Sequence, residues 1–536
     1  MCIRDRGLSH LKDNKKDSLF DITSDLLING PPILISHLTN MFRMFLVHGR
    51  VATFMLICTL MPLFKDNLSD LASSDNYRGI AIGSLILKLF DWIVLLLEGS
   101  KLTCDELQFS YQKTASTTMC TWAISAVIEH YNNQGREIYG CAADISKAFD
   151  MYSWTHLFKE LVKRGISAIV LRVLLFIYIN QSCDVLWNSK HSERFGVSNG
   201  VRQGAVSSCI LFCVYLDILI KRLRKSGVGC HVAGQFMGIF VYADDIFLMS
   251  PSRPGLQAML KECEEYAREF NFTFSTNPDP VKSKTKCIIF SPKNVFNPKM
   301  NLNFNIDKVK LNGNPLPWVT EVNHLGNLLQ SDNFFTKDCA LKRGKFISKM
   351  HTLLQEFHFS SSEVMINLIR IYATSFYSSS LWNLFSAQCV KLYTSWNITI
   401  RMAFKIPSQT HNYLIESLSD CPHAKVMLAS RFTQFHKSLI ENKKSCIRLL
   451  SNISEDDLKT IHGRNLFHLQ RELDCDIQDL SSSFIKANMK FKLLPNEEQW
   501  RIPLLLNLLD IRNDTLEVEN FGKEEIQHII EEICTN

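Results

Sequence analysis

Apolar residues follow two periodicities along this chain, one typical of helices and one typical of strands. In residues 19–48 apolar positions recur at helical intervals around a Gly-Pro-Pro sequence at position 30, which should end one helix and open the next. Residues 77–97 predict a strand that leads into an apolar helix, and residues 116–132 predict an amphipathic helix closed by a polar turn.

Short apolar segments in the middle of the chain end at acidic residues. Residues 137–144 predict a strand that finishes at Asp144, and residues 237–250 predict a hairpin whose two half-strands meet at an acidic pair. The other elements that we expect are a helix at 146–165 capped by Gly165, a charged helix at 256–270, a strand at 287–290 and, beyond Thr336, mostly helices, with a long helical stretch at 361–384. This succession combines short strands with helices.

Composition and charge narrow the class of protein. The 536 residues are 46% hydrophobic and 21% charged, which is typical of a globular chain with room for about three or four domains. The formal charge of +6 is unevenly distributed, because residues 451–536 contain 9 Lys/Arg and 17 Asp/Glu whereas residues 331–450 contain 15 Lys/Arg and 7 Asp/Glu. A basic body with an acidic terminal region favours a polyanionic partner for the body.

Cysteines and apolar runs bear on the cellular compartment. The 17 cysteines include no Cys-x-x-Cys pair, which excludes a zinc ribbon and favours reduced thiols. The apolar run at 51–64 is too short for a bilayer, which needs ~20 residues, and the run at 79–97 is interrupted by Lys88 and Asp91. Both runs predict buried core elements, and no cleavable signal precedes them (residues 1–6 resemble a foreign leader). We therefore expect a soluble intracellular protein that does not bind a membrane.

The acidic pair Asp244-Asp245 is the most informative feature of the sequence, because it lies between apolar segments that must be buried on at least one face. Neighbouring like charges in such a setting raise each other's pKa, and burying either without a partner costs several kcal/mol. A divalent cation such as Mg²⁺, which prefers hard oxygen ligands, would relieve that cost. For an isolated pair, a turn that points its acids to water is the commoner explanation. Asp456-Asp457 precedes a helical stretch and predicts an N-terminal cap instead.

Asp144 favours a metal site over a solvent-exposed turn for the acidic pair Asp244-Asp245, because Asp144 also ends an apolar strand. If this strand pairs beside the Asp244 hairpin, three carboxylates converge where two Mg²⁺ ions could lie ~3.5–4 Å apart. One ion would lower the pKa of an attacking hydroxyl and the other would neutralise a leaving pyrophosphate, which is the arrangement that phosphoryl transfer requires. The sequence therefore predicts a two-metal site at Asp144, Asp244 and Asp245.

Seven segments form an ordered series of motifs. They are Asn76-Tyr-Arg-Gly-Ile80 with Lys88-Leu-Phe90, Gln108-Phe109 followed by Ser116-Thr117, Asp144-Ile-Ser-Lys-Ala-Phe-Asp150, Gly200-Val-Arg-Gln-Gly204, Tyr242-Ala-Asp-Asp245, Lys284-Thr285 and His324-Leu-Gly326. In this order they resemble the motifs of reverse transcriptases of the non-LTR (LINE-type) retrotransposon kind, over about residues 62–290 and more loosely to about residue 450. The resemblance implies an α+β fold, that of a right-hand polymerase with fingers, palm and thumb, an antiparallel palm sheet and a helical thumb.

The resemblance implies metal ligands and a sugar gate. Asp144, Asp244 and Asp245 would form the acidic cluster, with the carbonyl of Ile145 as a further ligand, and two Mg²⁺ ions, replaceable by Mn²⁺, would be the cofactors. Phe149 would lie under the sugar as a steric gate that selects deoxynucleotides, although its spacing alone fits a core Phe in a helix equally well.

Other matched residues are implied to bind the nucleotide. Arg78 would bind the incoming triphosphate through its planar guanidinium, and Lys65 is a weaker second candidate. Gln203 and Gly204 would lie against the nucleotide and template, because Gly permits a close backbone approach. Arg202 would be a phosphate contact or a surface residue.

Lys284 is implied to protonate the leaving pyrophosphate as a general acid. Lys282 and Lys286 are close enough to leave that assignment open, and the lysine-rich segment also fits a solvated basic loop.

The resemblance further implies how the chain is divided. Residues 1–60 would be an N-terminal helical extension, 61–135 the fingers, 136–330 the palm with part of the fingers inserted, 331–450 a basic helical thumb that holds the duplex through its phosphates, and 451–536 an acidic appendage. Only about 60 residues precede the fingers, so we expect no endonuclease domain. Ser208-Cys209 replaces the usual Ser-Pro pair of the family, which should alter a helix start rather than the chemistry.

These features predict an RNA-directed DNA polymerase that adds dNTPs to the 3′-hydroxyl of a DNA primer on an RNA template, from a truncated retrotransposon protein. The family implies the nucleus, with the cytoplasm as an alternative, and the sequence does not predict the oligomeric state. A viral RNA-dependent RNA polymerase usually has Gly before its acidic pair and a polar residue in place of Phe149, and a group II intron maturase would need a maturase-like C-terminal region. A different alternative is a nucleic-acid-binding protein that has kept the fold and lost catalysis.

Overall fold

The computed structural model divides the chain into two compact units. The described residues are 11–17, 22–65, 71–146, 148–202, 204–277, 279, 282–292, 309–332, 335–419, 421–476 and 479–486. Unit 1 comprises Met1–Cys120, Ile138–Ile289 and Asn297–Val319, and unit 2 comprises Thr121–Glu137, Phe290–Phe296 and Thr320–Asn536. Gln203, which was predicted to contact the nucleotide, lies outside the described residues.

Among the described residues, unit 1 mixes helices with two five-stranded sheets and two small two-stranded sheets. Its elements are α1 (Ser24–Ile28), α2 (Pro32–His48), β1 (Ile57–Phe64), β2 (Tyr77–Ile82), α3 (Leu85–Glu98), α4 (Thr117–Asn133, which continues into unit 2), β3 (Ile138–Asp144), α5 (Trp154–Lys163), α6 (Ala168–Asn180), β4 (Ser182–Trp187), β5 (Lys190–His191), β6 (Phe195–Gly196), α7 (Val206–Ser226), β7 (His231–Val232), β8 (Gln235–Phe236), β9 (Ile239–Tyr242), β10 (Asp245–Ser250), α8 (Arg253–Phe270), β11 (Lys286–Phe290), β12 (Lys310–Leu311), β13 (Asn314–Pro315) and β14 (Trp318–Val319). The two-stranded sheets are β7-β8 and β12-β13.

The first sheet has the order β2-β1-β4-β5, with β6 also paired to β4. Its β1 is antiparallel to β2 and parallel to β4. The apolar run at 51–64, which was predicted to be a buried core element, is only partly buried, because Leu63 in β1 is 52% exposed. Within β1, Met61 and Leu63 are exposed and the other apolar side chains are half-buried, so the strand is not enclosed on both faces.

The second sheet has the order β14-β11-β3-β10-β9. The predicted antiparallel arrangement is correct for β3, β10 and β9, but β11 and β14 at the edge are parallel. Helix α8 packs on β3 and β10 through a stripe of buried side chains that includes Leu256, Leu260 and Cys263. This burial explains why the strands are apolar right up to their acidic ends.

The segment after Asp144 departs from the predicted helix at 146–165, because the helix begins only at Trp154. The carbonyl of Phe149 accepts from the N–H of Val201 at 2.7 Å, and the carbonyl of Tyr152 accepts from the N–H of Gly200 at 3.0 Å. Tertiary hydrogen bonds thus replace the helical ones in this segment.

Helix α4 was predicted to be amphipathic, and this prediction is wrong, because every residue from Met119 to Ile128 is buried. Polar side chains such as Thr121 and Ser125 lie inside along with the apolar ones. A short polar side chain in a helix does not mark an exposed face when its hydroxyl can be hydrogen-bonded.

Unit 2 is mainly helical. Its remaining elements are β15 (Glu321–His324), β16 (Asn327–Gln330), α9 (Thr336–Glu356), α10 (Ser362–Leu368), α11 (Ala387–Phe404), α12 (Asn412–Ser419), α13 (Ala424–Ile440), α14 (Ser445–Asp456) and α15 (Ile461–Leu473).

Two local predictions in unit 2 are corrected. The helical stretch at 361–384 continues from α10 through one wide helical turn at Ile369–Ala373 and then ends, and just beyond it the guanidinium of Arg431 donates to the carbonyl of Thr374 at 2.8 Å. Asp456 ends α14 and caps no helix, whereas Thr460 is the N-cap of α15.

None of the helices within the described ranges has both the length and the hydropathy needed to cross a lipid bilayer.

Candidate active site

The acidic pair lies at the turn of a hairpin whose strands are mostly buried. Ala243, between β9 and β10, takes a left-handed conformation with a φ of 56°. Its N–H donates to Oε1 of Gln108 at 3.3 Å, and Gln108 itself lies beside β9 in a parallel bridge with Val241. The turn that carries Asp244 and Asp245 is therefore braced from outside the hairpin.

Asp144 is brought to this turn by strand pairing. It ends β3, and its direct partner in β10 is Asp245; directly paired residues of antiparallel strands lie on the same face of the sheet. The backbone N–H of Asp144 donates to Oγ1 of Thr285 at 3.2 Å, and its carbonyl accepts from the N–H of Ser275 at 2.8 Å. The predicted pairing of the Asp144 strand with the acidic hairpin is confirmed.

The three carboxyl groups share an environment that disfavours their charged forms. Burial raises the pKa of Asp144, Lys284 partly offsets this, and Asp244 adds to it. Burial also raises the pKa of Asp244, against the lowering effects of its own backbone N–H, Arg78 and Lys284. Burial, and then the charges of Asp244 and Asp144, raise the pKa of Asp245 to about 6. The cluster thus attracts positive charge.

The side chains do not converge as closely as the sequence predicted. Across the described ranges, no three carboxylate, imidazole or thiol groups lie close enough together to hold a metal ion. Mutual repulsion between carboxylates without a cation between them is a sufficient physical reason for this spread.

One observation does fit a divalent cation. Oδ2 of Asp144 is shielded from solvent and accepts no hydrogen bond, and a buried carboxylate oxygen in that state is costly. Carboxylate oxygens are the donors that Mg²⁺ selects. Ile145 forms a bridge with Phe274, and the two flanking hydrogen bonds use the carbonyl of Asp144 and the N–H of Ser146, not the carbonyl of Ile145. The residues present therefore fit a metal ion chemically.

Cationic side chains lie around the acidic turn in unit 1. Nζ of Lys284 is 3.8 Å from Oδ2 of Asp144, and the lysine side chain is 71% exposed. Arg78 is exposed on β2 and close enough to Asp244 to lower its pKa. Lys65 is exposed at the end of the neighbouring strand, where its N–H donates to the carbonyl of Asn76 at 2.9 Å.

The candidate gate residue Phe149 is half-buried in the turn that follows β3 and does not belong to a helix core. Its ring packs on Phe212 of α7, with the ring centroids 4.6 Å apart. Gly204 has a φ of 76°, and a Cβ at this position would lie 2.5 Å from the carbonyl oxygen of Ala81 in β2. Glycine is therefore required at position 204 for both conformation and space.

Arg202 corrects the sequence prediction. It was expected to contact phosphate or to lie on the surface, but its side chain is only 8% exposed and forms an ion pair with Asp91 of α3. Asp91 is fully buried, and burial raises its pKa against the lowering effect of Arg202. The guanidinium is thus occupied inside the protein and does not face solvent.

Sequence reasoning missed the positions of Asp91, Gln108 and Thr285. In the sequence, Asp91 stands out only as a charge that interrupts an apolar run, and because a buried charge needs a partner, such an interruption signals a cation elsewhere in the chain. Gln108 and Thr285 are motif residues to which the sequence assigns no structural role. Their contacts link residues more than 100 positions apart, which no local pattern indicates.

A separate hairpin in unit 2 carries the last of the seven motif segments, His324-Leu-Gly326. β15 and β16 are joined by Leu325 and Gly326, which have positive φ values of 49° and 73° and so form a tight two-residue turn. The hydroxyl of Tyr377 donates to the carbonyl of Leu325 at 3.1 Å. His324 is buried, whereas Gly326 at the tip of the hairpin is exposed and offers only its backbone to solvent.

Comparisons with known proteins bear on this arrangement. Residues 65–326 match the family described as reverse transcriptase (RNA-dependent DNA polymerase). The chain is 25% identical over 191 residues to the Pol polyprotein of the type-2 retrotransposable element R2DM of Drosophila melanogaster, which covers 36% of this chain and 18% of that protein. It is also 25% identical over 193 residues to the Pol polyprotein of the type-1 retrotransposable element R2 of Nasonia vitripennis, over 36% of this chain and 19% of that protein.

The aligned part of this chain spans less than a fifth of the length of these curated relatives. Among solved structures, apo telomerase from Candida tropicalis, truncated from its C-terminal domain, is 11% identical with a TM-score of 0.35, covering 59% of this chain and 62% of that one. This score is too low to carry an argument about the fold. The family match contains Asp144, the acidic pair and the hairpin tip at Gly326. Over residues 65–326 the chain therefore resembles the reverse transcriptase (RNA-dependent DNA polymerase) family, and the predicted resemblance to non-LTR retrotransposon enzymes is confirmed.

Proposed function

We propose that this chain is an RNA-directed DNA polymerase that adds dNTPs to the 3′-hydroxyl of a DNA primer on an RNA template. The observation that carries the proposal is the pairing of Asp144 with Asp245 at one end of a buried sheet, inside the segment that matches the reverse transcriptase family. Neither part would suffice alone, because paired acids occur in many folds and a family match does not establish an intact site.

In this proposal the second sheet of unit 1 is the palm, the first sheet belongs to the fingers, and the helices after Thr336 form the thumb. The sequence-based limits of 61–135, 136–330 and 331–450 remain part of the proposal, as does the acidic appendage at 451–536. The excess of basic residues at 331–450 supports binding of the template–primer duplex through its phosphates, which predicts an affinity that falls steeply with salt.

Reverse transcriptases generally use divalent metal ions, and here Asp144, Asp244 and Asp245, with the carbonyl of Ile145, would hold two Mg²⁺ ions or Mn²⁺ in their place. When bound, the metal would lower the pKa of the primer hydroxyl and neutralise charge on the leaving pyrophosphate. The chain's own contribution is to hold two carboxylates in register on adjacent strands and to deny Oδ2 of Asp144 any hydrogen-bond donor.

The side chains around the acids would act on the nucleotide. Arg78 would bind the triphosphate, since its guanidinium is exposed and electrostatically coupled to Asp244; Lys65 is a second candidate on the same sheet. Lys284 would supply a proton to the pyrophosphate. Phe149 would exclude a 2′-hydroxyl, and Gly204 would let the backbone approach the nucleotide and template.

The test is primer extension on poly-rA with an oligo-dT primer and dTTP. Asp244→Asn removes a proposed metal ligand with little change in shape, and incorporation should fall by at least about 10²–10³-fold. Glu193→Gln, an exposed carboxylate in the same unit, is the matched control and should incorporate as the wild type does. Retained RNA binding by the wild type without incorporation at any Mg²⁺ or Mn²⁺ concentration would contradict the proposal and favour a binding protein that has lost catalysis.

A further inference from the structure

The buried ion pair between Asp91 and Arg202 also involves the start of a helix. Asp91 is fully buried and accepts hydrogen bonds from the N–H of Val206 at 3.2 Å and from Oγ of Ser207 at 3.1 Å, in addition to its bond from Arg202. These two residues open α7, whose own N-cap residue, Ala205, has no side chain that can cap. A carboxylate from α3 therefore does what an N-cap side chain would do, at the end of the helix where negative charge is favoured.

The same pair controls one end of a loop that we call the Gly200 loop (residues 200–202 and 204). The N–H of Val201 donates to the carbonyl of Phe149 at 2.7 Å, so the loop is tied to the candidate sugar gate. Gly204 lies against Ala81 of β2, the strand that carries Arg78. The carbonyl of Arg202 accepts from Oγ of Ser208 at 2.7 Å, which anchors the loop to the first turn of α7.

Two of the side chains proposed to contact the nucleotide, Phe149 and Arg78, thus lie on segments that contact this loop. The carbonyl of Phe149 accepts a hydrogen bond from the loop, and β2, which carries Arg78, lies against Gly204. The ion pair fixes the loop to α3, the helix that directly follows β2 in the chain. A buried ion pair adds little net stability compared with apolar residues of similar size. What the Asp91–Arg202 pair provides beyond an apolar contact is therefore directed hydrogen bonds that fix the position of the loop.

We propose that Asp91 and Arg202 are positioning residues for the incoming nucleotide: they hold the Gly200 loop against β2 and cap α7, without touching the nucleotide themselves. This inference rests on the proposed function, because it assumes that the loop and β2 border a nucleotide. It replaces the direct phosphate contact that the sequence suggested for Arg202.

The informative variant is the double substitution Asp91→Leu/Arg202→Met in the full-length chain. It leaves no unpaired charge in the interior, so the fold is expected to survive, but it removes the cap and the tie to the loop. We expect kcat/KM for dTTP to fall by about 10- to 100-fold, carried by the KM for dTTP, while the affinity for the template–primer stays unchanged. Arg202→Lys keeps the charge and should hold KM within about threefold of the wild-type value.

The matched control is the buried pair Arg164–Asp217 in the same unit, whose atoms are 2.5 Å apart and whose side chains are 10% and 0% exposed. The double variant Arg164→Met/Asp217→Leu also removes the partners of Glu160 and Lys221, so it should lower thermal stability at least as much and leave the KM for dTTP unchanged. If both double variants only reduce the fraction of active molecules and leave KM alone, the role of Asp91 and Arg202 is structural and the inference is wrong.

Hydrogen exchange provides a readout that does not depend on catalysis. Amide exchange in the peptide that contains Val206 and Ser207 should be faster in the Asp91→Leu/Arg202→Met variant than in the wild type, and unchanged in the control pair. If the wild type incorporates no nucleotide, the proposed function fails, and exchange alone decides whether the ion pair orders the loop. Faster exchange supports that part of the inference, and unchanged exchange overturns it.

Discussion

Asp144 and Asp245 face each other across two antiparallel strands, one residue against the other, although they are about 100 positions apart in the sequence. The sheet fixes the distance between the Cα atoms of such a pair, so the two carboxylates can move apart only by side-chain rotation. Beyond the effect of burial, the charge of Asp244 raises the pKa of Asp144, and the charges of Asp244 and Asp144 raise the pKa of Asp245.

This relationship predicts how stability depends on pH. Burial and the neighbouring charges raise the pKa of Asp245 from 3.8 to about 6, so between these values the folded protein binds a proton that the unfolded chain has released. The free energy of unfolding must then fall as the pH rises through that window and level off above it. Asp245→Asn should remove this loss, so its melting temperature should rise relative to the wild type by up to a few degrees between pH 4 and pH 7. Solvent screening keeps the effect small, because the Asp245 side chain is only partly desolvated and remains accessible to solvent.

The measurement is thermal unfolding of both proteins in EDTA across that pH range. Glu193→Gln, which removes an exposed acid away from the cluster, should track the wild type at every pH. An Asp245→Asn variant whose pH profile is parallel to that of the wild type would show that the cluster does not strain the fold.

Local patterns were enough to predict the hairpin around Asp244 and the strand that ends at Asp144. Both are short apolar runs interrupted by charge, and their burial follows from composition alone. The pairing register of the two strands could not be predicted from local patterns. It is set by the packing of α8 and by contacts such as the one between Gln108 and Ala243, which join distant parts of the chain and leave no periodic trace in the sequence.

The wrong predictions have a common physical cause. The segment that contains Phe149 has helical spacing, but its carbonyls are hydrogen-bonded to the Gly200 loop, so a tertiary interaction overrides a weak local preference. Arg202 has the charge and the motif position expected of a phosphate contact, but it is paired with the buried Asp91, which lies 111 residues away in the sequence. Whether a charged side chain is buried depends on whether the fold brings a partner of opposite charge to it. A single sequence does not show which distant residue that partner is.

Lys284 is predicted to be the proton donor among three neighbouring lysines. Its Nζ lies 3.8 Å from Oδ2 of Asp144, whereas Lys282 is exposed and Lys286 is half-buried at the start of β11. Lys284→Met should lower the single-turnover rate of incorporation at saturating dNTP by about 10²-fold or more. The affinity for the template–primer should change little, because one exposed charge contributes a small share of phosphate binding.

Lys282→Met is the control for that variant, since it removes an exposed positive charge two residues away. It should keep a rate within about twofold of the wild-type rate. A loss of rate in Lys282→Met together with a normal rate in Lys284→Met would move the proton-donor assignment to the other lysine.

Phe149 is predicted to set the choice between deoxynucleotides and ribonucleotides. Its ring is half-buried and packs on Phe212, with the ring centroids 4.6 Å apart, so it is held in place and still reachable. Phe149→Ala should open space for a 2′-hydroxyl and reduce the preference for dATP over ATP by about 10- to 100-fold, measured as the ratio of kcat/KM values on a template that offers uracil.

Phe158→Ala separates this effect from general destabilisation. Phe158 is also a half-buried aromatic of unit 1, in an edge-to-face contact with Tyr178 at 5.7 Å, so its truncation should lower stability by a similar amount. Its nucleotide preference should equal that of the wild type, because it lies in α5 and not in the turn after Asp144. If both variants keep the wild-type preference, a different side chain excludes the 2′-hydroxyl, and the role of Phe149 is limited to packing against α7.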